Sequence, residues 1–122
     1  MSPHLLFVDD DIPIRETLSL YFKKKGIVVT TAGSGGEAIR LAEKSSFNLA
    51  ILDVNLDQEN GLDLLEVFRR MHPNLPVIMF TGMADDPMLL QQALAKGASS
   101  FMSKTDPLDK LFNEVQRVMS AA

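Results

Sequence analysis

Leu49-Ala50-Ile51-Leu52 is an unbroken apolar run that stops at a single carboxylate, Asp53. A strand that is apolar at every position is buried on both faces, and such strands belong to parallel sheets covered by helices on each side. Asp53 then stands at the carboxyl edge of a central strand, where open α/β sheets hold their ligands. Asp is also a favoured turn and capping residue, so Asp53 by itself carries no function. Its meaning depends on what the other strands deliver to the same edge.

Four further short runs repeat the pattern, each followed by a helical period. Leu5 to Val8 is a strand that ends at Asp9-Asp10-Asp11; Ile12, Ile14, Leu18 and Phe22 then recur at helical spacing until Lys23-Lys24-Lys25-Gly26, where cations and a glycine suit a helix end. Ile27 to Ala32 is β-branched and strand-like, and Glu37 to Lys44 is helical. After Asp53, a loop containing Asn60-Gly61 leads to a third helix with Leu62, Leu65, Val67 and Phe68, ending near His72-Pro73. Val77 to Phe80 is a fourth strand ending at Thr81-Gly82, and a fourth helix runs from Pro87 to Lys96. Ala98 to Ser103 is the last strand, ending at Lys104, and Pro107 opens a fifth helix. Five strand-helix repeats with short connections predict an α/β fold, a doubly wound five-stranded parallel sheet built as one domain over residues 1–122.

The carboxyl edge then collects Asp9 and Asp10 from the first strand, Asp53 from the third, Thr81 from the fourth and Lys104 from the fifth. Three carboxylates about 5 Å apart repel one another by roughly 3 kcal/mol per pair at an effective dielectric near 20, so they call for a counter-charge. The chain has no cysteine, and neither histidine falls near this edge, so hard oxygen donors and Mg²⁺ are the chemical match. With Mg²⁺ and Lys104 the cluster sums to zero, which admits a doubly charged phosphoryl group and lets Asp53 act as a nucleophile toward phosphorus. A net charge of -4 gives no reason to expect direct nucleic-acid binding or contact with an anionic membrane. No apolar run approaches membrane-spanning length, and the expected location is cytoplasmic.

These residues, over essentially the whole chain, resemble a response-regulator receiver domain of two-component signalling. The resemblance implies a flavodoxin-like (βα)5 fold with strand order 2-1-3-4-5. It implies Asp53 as the phosphorylation site, Asp9 and Asp10 as the acidic pair with Asp10 a direct Mg²⁺ ligand, and a backbone carbonyl of Asn55 as a further ligand. Thr81 and Lys104 would contact the phosphoryl group, and Phe101 would be the switch aromatic. The implied donor is a sensor histidine kinase or phosphotransfer protein. The implied output surface is the fourth helix, last strand and fifth helix, docking a homodimer partner or an output domain. Such a domain is not an enzyme beyond catalysing its own phosphorylation and dephosphorylation. Asp11 falls outside the acidic pair and is expected to cap the first helix.

The chain departs from the family pattern at Asp57, where proline is usual, at Asn60, at Gly82 and at Lys104-Thr105, where Lys-Pro is usual. None removes a charge that the chemistry needs. A cis bond before threonine costs about 2.5 to 4 kcal/mol, so a trans Lys104-Thr105 bond is expected. Gly33-Ser34-Gly35-Gly36-Glu37-Ala38 fits a dinucleotide-binding fingerprint, but it follows the second strand and adjoins three aspartates that would repel a pyrophosphate. Its glycines are therefore expected to serve as a flexible start to the second helix. An aspartyl phosphatase would want a second Asp where Asn55 stands, and a receiver-like interaction module that takes no phosphate remains the alternative function.

Overall fold

The structure, a computed structural model, describes residues 3–56 and 58–121. Five strands, β1 (His4–Val8), β2 (Val28–Ala32), β3 (Leu49–Leu52), β6 (Val77–Thr81) and β7 (Ser100–Ser103), form one sheet in the order β2-β1-β3-β6-β7. All of its pairings are parallel, so the order is 2-1-3-4-5 when only these strands are counted, as expected. Between β3 and β6 lie a two-stranded antiparallel ribbon, β4 (Asn55–Leu56) with β5 (Glu59–Asn60), and the helix α3 (Gly61–Met71). The other helices are α1 (Ile12–Lys24), α2 (Gly35–Lys44), α4 (Pro87–Ala95) and α5 (Leu108–Ala121).

The continuous apolar runs are explained by two packed layers. Leu6, Val8, Ala50, Leu52, Val77 and Met79 meet Ala38 and Ala42 of α2, Leu65 and Phe68 of α3 and Ala93 of α4. Their alternates, Leu5, Phe7, Leu49, Ile51, Ile78 and Phe80, meet Leu18 and Phe22 of α1 and Leu111, Val115 and Val118 of α5. Successive strand residues point to opposite faces, so a strand buried on both sides must be apolar throughout. Each fully buried Phe or Leu contributes roughly 1.5 to 3 kcal/mol, which is why Phe7, Phe22 and Phe68 anchor the layers.

Helix ends follow local chemistry. Asp11 accepts from the Ile14 N–H at 3.3 Å and caps α1, as expected, and Gly26 takes φ +82 just beyond that helix. Helix α2 begins two residues earlier than the predicted Glu37, because the Ser34 hydroxyl caps it by accepting from the Glu37 N–H. Strand β7 begins at Ser100 rather than Ala98, because the Ala98 N–H is spent closing α4 on the Ala93 carbonyl. Asp86 caps α4 through the N–H groups of Met88 and Leu89.

The ribbon was not expected, and after it the chain returns so close to the end of β3 that only glycine fits. A Cβ at position 61 would overlap the Asp53 carbonyl oxygen and lie 2.8 Å from Val54 Cα, all of it backbone that cannot turn aside. At Gly82, by contrast, nothing lies within 4 Å of an added Cβ. Gly61→Ala should therefore cost about 2 to 3 kcal/mol in urea unfolding, the upper range for overpacking. Gly82→Ala should stay within about 0.5 kcal/mol of the parent.

Candidate functional site

The β-ladders run one residue past β1 and β3 and so fix the two carboxylates that follow. The Asp9 N–H donates to the Ala32 carbonyl and the Asp53 N–H to the Val8 carbonyl, both at 3.0 Å. Asp9 is completely buried, Asp53 is 4% exposed, and Asp10 is exposed. One carboxylate oxygen from each of Asp9, Asp10 and Asp53 falls within 4.8 Å of the others. Asp9 is held further by Arg15, whose Nη1 donates to the Asp9 carbonyl at 2.8 Å and fills the space a side chain at Gly33 would need.

Lys104 reaches this cluster from the far edge of the sheet. Its Nζ lies 2.7 Å from Asp53 Oδ2 and 2.7 Å from Asp9 Oδ2. The ammonium thus bridges the two carboxylates, hydrogen-bonded to Asp53 and ion-paired with Asp9. Burial pushes the Asp53 carboxyl above its ordinary value, against the pull of Lys104. For Lys104, burial pushes the ammonium down, but pairing with Asp53 and Asp9 outweighs it and holds the group above its usual value. The Lys104-Thr105 bond is trans, since no peptide bond among the described residues is cis. Lys104 is steered by its own N–H, which donates to the Thr81 carbonyl at 2.9 Å.

The remaining expected residues surround this centre. Asn55 donates its N–H to Asp53 Oδ1 at 3.1 Å, and its side-chain amide lies 3.3 Å from Met83 Sδ. Thr81 is fully buried, and its hydroxyl accepts from the Met83 N–H at 3.1 Å rather than touching Asp53. Phe101 lies farther away, half-buried against the layer that contains Leu89 and Ala93. Asp57 lies outside the described residues. Neither histidine joins the site: His4 Nε2 pairs with Thr30 Oγ1 at 2.6 Å, while His72 caps α3 with its Nε2 buried and unpartnered.

The donor set fits a hard divalent cation. Three carboxylates converge, no sulfur or imidazole joins them among the described residues, and with Lys104 counted the cluster keeps two negative charges for a cation to balance. Two positioning residues escaped the sequence reading. Arg15, on the first helix, and Glu59, in the loop before Asn60, carry no motif of their own; Gly33 and Gly35, which accommodate them, were the available signal.

A family model for the response regulator receiver domain matches residues 5–116. The transcriptional regulatory protein GlrR of Escherichia coli (strain K12) is 32% identical over 112 residues, which are 92% of this chain and 25% of GlrR. The photosynthetic apparatus regulatory protein RegA of Cereibacter sphaeroides is 34% identical over 117 residues, 96% of this chain and 61% of RegA. The chain therefore spans between about a quarter and three fifths of these relatives. Among solved structures, a CheY-like response regulator receiver domain protein from Methanospirillum hungatei JF-1 superposes with a TM-score of 0.93 at 27% identity, covering 99% of this chain and 96% of that one. Since the match runs through every strand and the Asp-Asp-Asp-Lys edge alike, the chain belongs to the response regulator receiver domain family of two-component signal transduction.

Proposed function

We propose that residues 1–122 act as one receiver unit in which Asp53 takes a phosphoryl group from a sensor histidine kinase or phosphotransfer protein, in a Mg²⁺-dependent reaction, and relays the change to the surface of α4, β7 and α5. The observation that carries this is a nearly buried carboxylate with an ammonium 2.7 Å away and two more carboxylates beside it. Asp10, Asp53, the Asn55 carbonyl and Asp9 would hold the cation. When bound, Mg²⁺ supplies charge neutralisation at the oxygens of the transferring phosphoryl group.

The chain's own residues account for the rest. An Asp53 oxygen attacks phosphorus; the new O–P bond forms as the bond from phosphorus to the donor's imidazole nitrogen breaks, and the electron pair leaves with the imidazole. Lys104 neutralises the charge that arrives, and the buried Asp9 keeps Lys104 aimed along the edge. The Thr81 hydroxyl, whose oxygen accepts from the Met83 N–H, then turns to donate its own proton to a phosphoryl oxygen, and the space it leaves admits Phe101, biasing α4 and β7 toward a second arrangement. The unit catalyses only its own phosphorylation and dephosphorylation.

Acetyl phosphate with Mg²⁺ should add one phosphoryl group by mass spectrometry. Chelation or Asp53→Asn should abolish the gain, and a wild-type chain that takes up none would leave the interaction-module reading standing. Lys104→Met should bind Mg²⁺ no worse than wild type, yet beryllofluoride should no longer shift the NMR signals of Phe101 and Leu89.

The buried carboxyl also predicts a pH dependence. A carboxyl whose folded pKa lies above its unfolded value favours the fold when protonated. That contribution is present below the ordinary value of 3.8 and is lost as pH rises through the folded value. Asp53→Asn cannot ionise and escapes the loss. In metal-free buffer it should melt above wild type at neutral pH, with the gap closing as pH falls to about 4.

A further inference from the structure

The β4–β5 ribbon has two residue pairs, Asn55 with Asn60 and Leu56 with Glu59, around a turn in which Gln58 takes the left-handed φ of 55°. A hairpin this short does not hold itself in water, and a non-glycine residue in the left-handed region costs about 1 to 2 kcal/mol. Something outside the ribbon must hold it. At its base, Asn60 Oδ1 caps α3 by accepting from the Leu62 N–H at 2.9 Å. At its side, Glu59 Oε1 accepts from the Gly35 N–H at 2.9 Å, on the first residue of α2.

The same contact is seen in the space at Gly35. It is buried, its φ is not left-handed, and a Cβ there would sit 2.5 Å from Glu59 Oε2. A side chain at this position would therefore have to push the Glu59 carboxylate aside. A carboxylate at a helix N-terminus satisfies a free N–H and is favoured by the helix dipole.

We propose that Glu59 is a positioning residue for the acidic site: clasped to Gly35, it holds the ribbon and so sets Asn55 against Asp53. The inference rests on the reading of Asn55 as a metal-holding residue. It gives part of the glycine-rich loop a role as a brace for the β3–α3 connection, 24 residues away in sequence.

The test is Mg²⁺ titration of the full chain by calorimetry, with hydrogen exchange at the Gly35 amide read alongside. Glu59→Ala should bind Mg²⁺ about tenfold more weakly, as outer-shell losses do, and the Gly35 amide should lose protection. Glu59→Gln keeps an acceptor in the same place and should recover most of both, although it lacks the charge as fully as alanine does. Gly35→Ala should weaken binding in the wild-type background and add nothing once Glu59 is alanine. Equal affinity of Glu59→Ala and wild type would overturn the proposal, as would a Glu59→Gln variant as weak as Glu59→Ala, which would make the effect one of charge alone. A wild-type chain that takes up no Mg²⁺ would instead bring down the receiver-site reading, and this inference with it.

Discussion

Everything at the carboxyl edge depends on one ammonium placed between two buried carboxylates. Burying an ion costs on the order of several kcal/mol, and a pair is tolerated only where the partners are held in place. Here Lys104 follows an edge strand, whereas Asp53 and Asp9 follow strands two and three places inward. Neighbouring strands lie about 4.8 Å apart, so Lys104 must cross the end of β6 to reach them. It can do so because Ser103 is paired with Thr81 and the Lys104 N–H is bonded to the Thr81 carbonyl. A slip of one residue in β7 would turn Lys104 to the other face. The parallel register is therefore also the device that sets the site's charge. With Asp10 included, the bare cluster carries two negative charges, the amount a divalent cation removes.

Close approach does at the loops what register does at the strands. Gly61 lets the start of α3 press on the Asp53 backbone, Gly33 admits Arg15, and Gly35 admits Glu59. Each contact ties a connection beside the acidic cluster to a regular element. The connections that bear the chemistry are accordingly braced from several sides, while the opposite end of the molecule leaves the His72 imidazole nitrogen without a partner.

The fold and the centre of the site were readable because both rest on short-range patterns. An all-apolar run of four or five residues has few structural meanings, and the polar residue that ends it must lie at the sheet edge. Asp9, Asp53, Thr81 and Lys104 were found in this way, and the exposed Asp10 followed from adjacency. The ribbon was not readable, because two residue pairs around a turn give no periodicity to detect. Glu59 and Arg15 were missed for a related reason: each matters through a partner distant in sequence or in another element, and the only local trace is a glycine. That trace was misread as flexibility. Neither Gly33 nor Gly35 takes a left-handed φ; each leaves room that the end of Arg15 or Glu59 occupies.

The same packing identifies the part of the fold that is cheapest to move. Helix α3 buries five residues and α5 keeps Leu111, Val115 and Val118 in the core, whereas α4 buries Ala93 alone and exposes Met88 at 70% and Leu94 at 50%. A helix with so little apolar surface committed to the core loses little when it shifts, and low-stability elements are those that carry conformational change. It packs beside β7, an edge strand whose Phe101 is only half-buried and has no hydroxyl to tie its orientation. Phe101 is therefore governed by packing alone, and the packing around it belongs to the least anchored helix. The charge-bearing end of the sheet is tied together by Lys104 and Thr81, while the neighbouring helix α4 commits Ala93 alone to the core. In the proposed switch, a change in charge at Asp53 reaches this surface through Thr81, and the coupling between the two ends would be set by how completely Phe101 fills the space beside it.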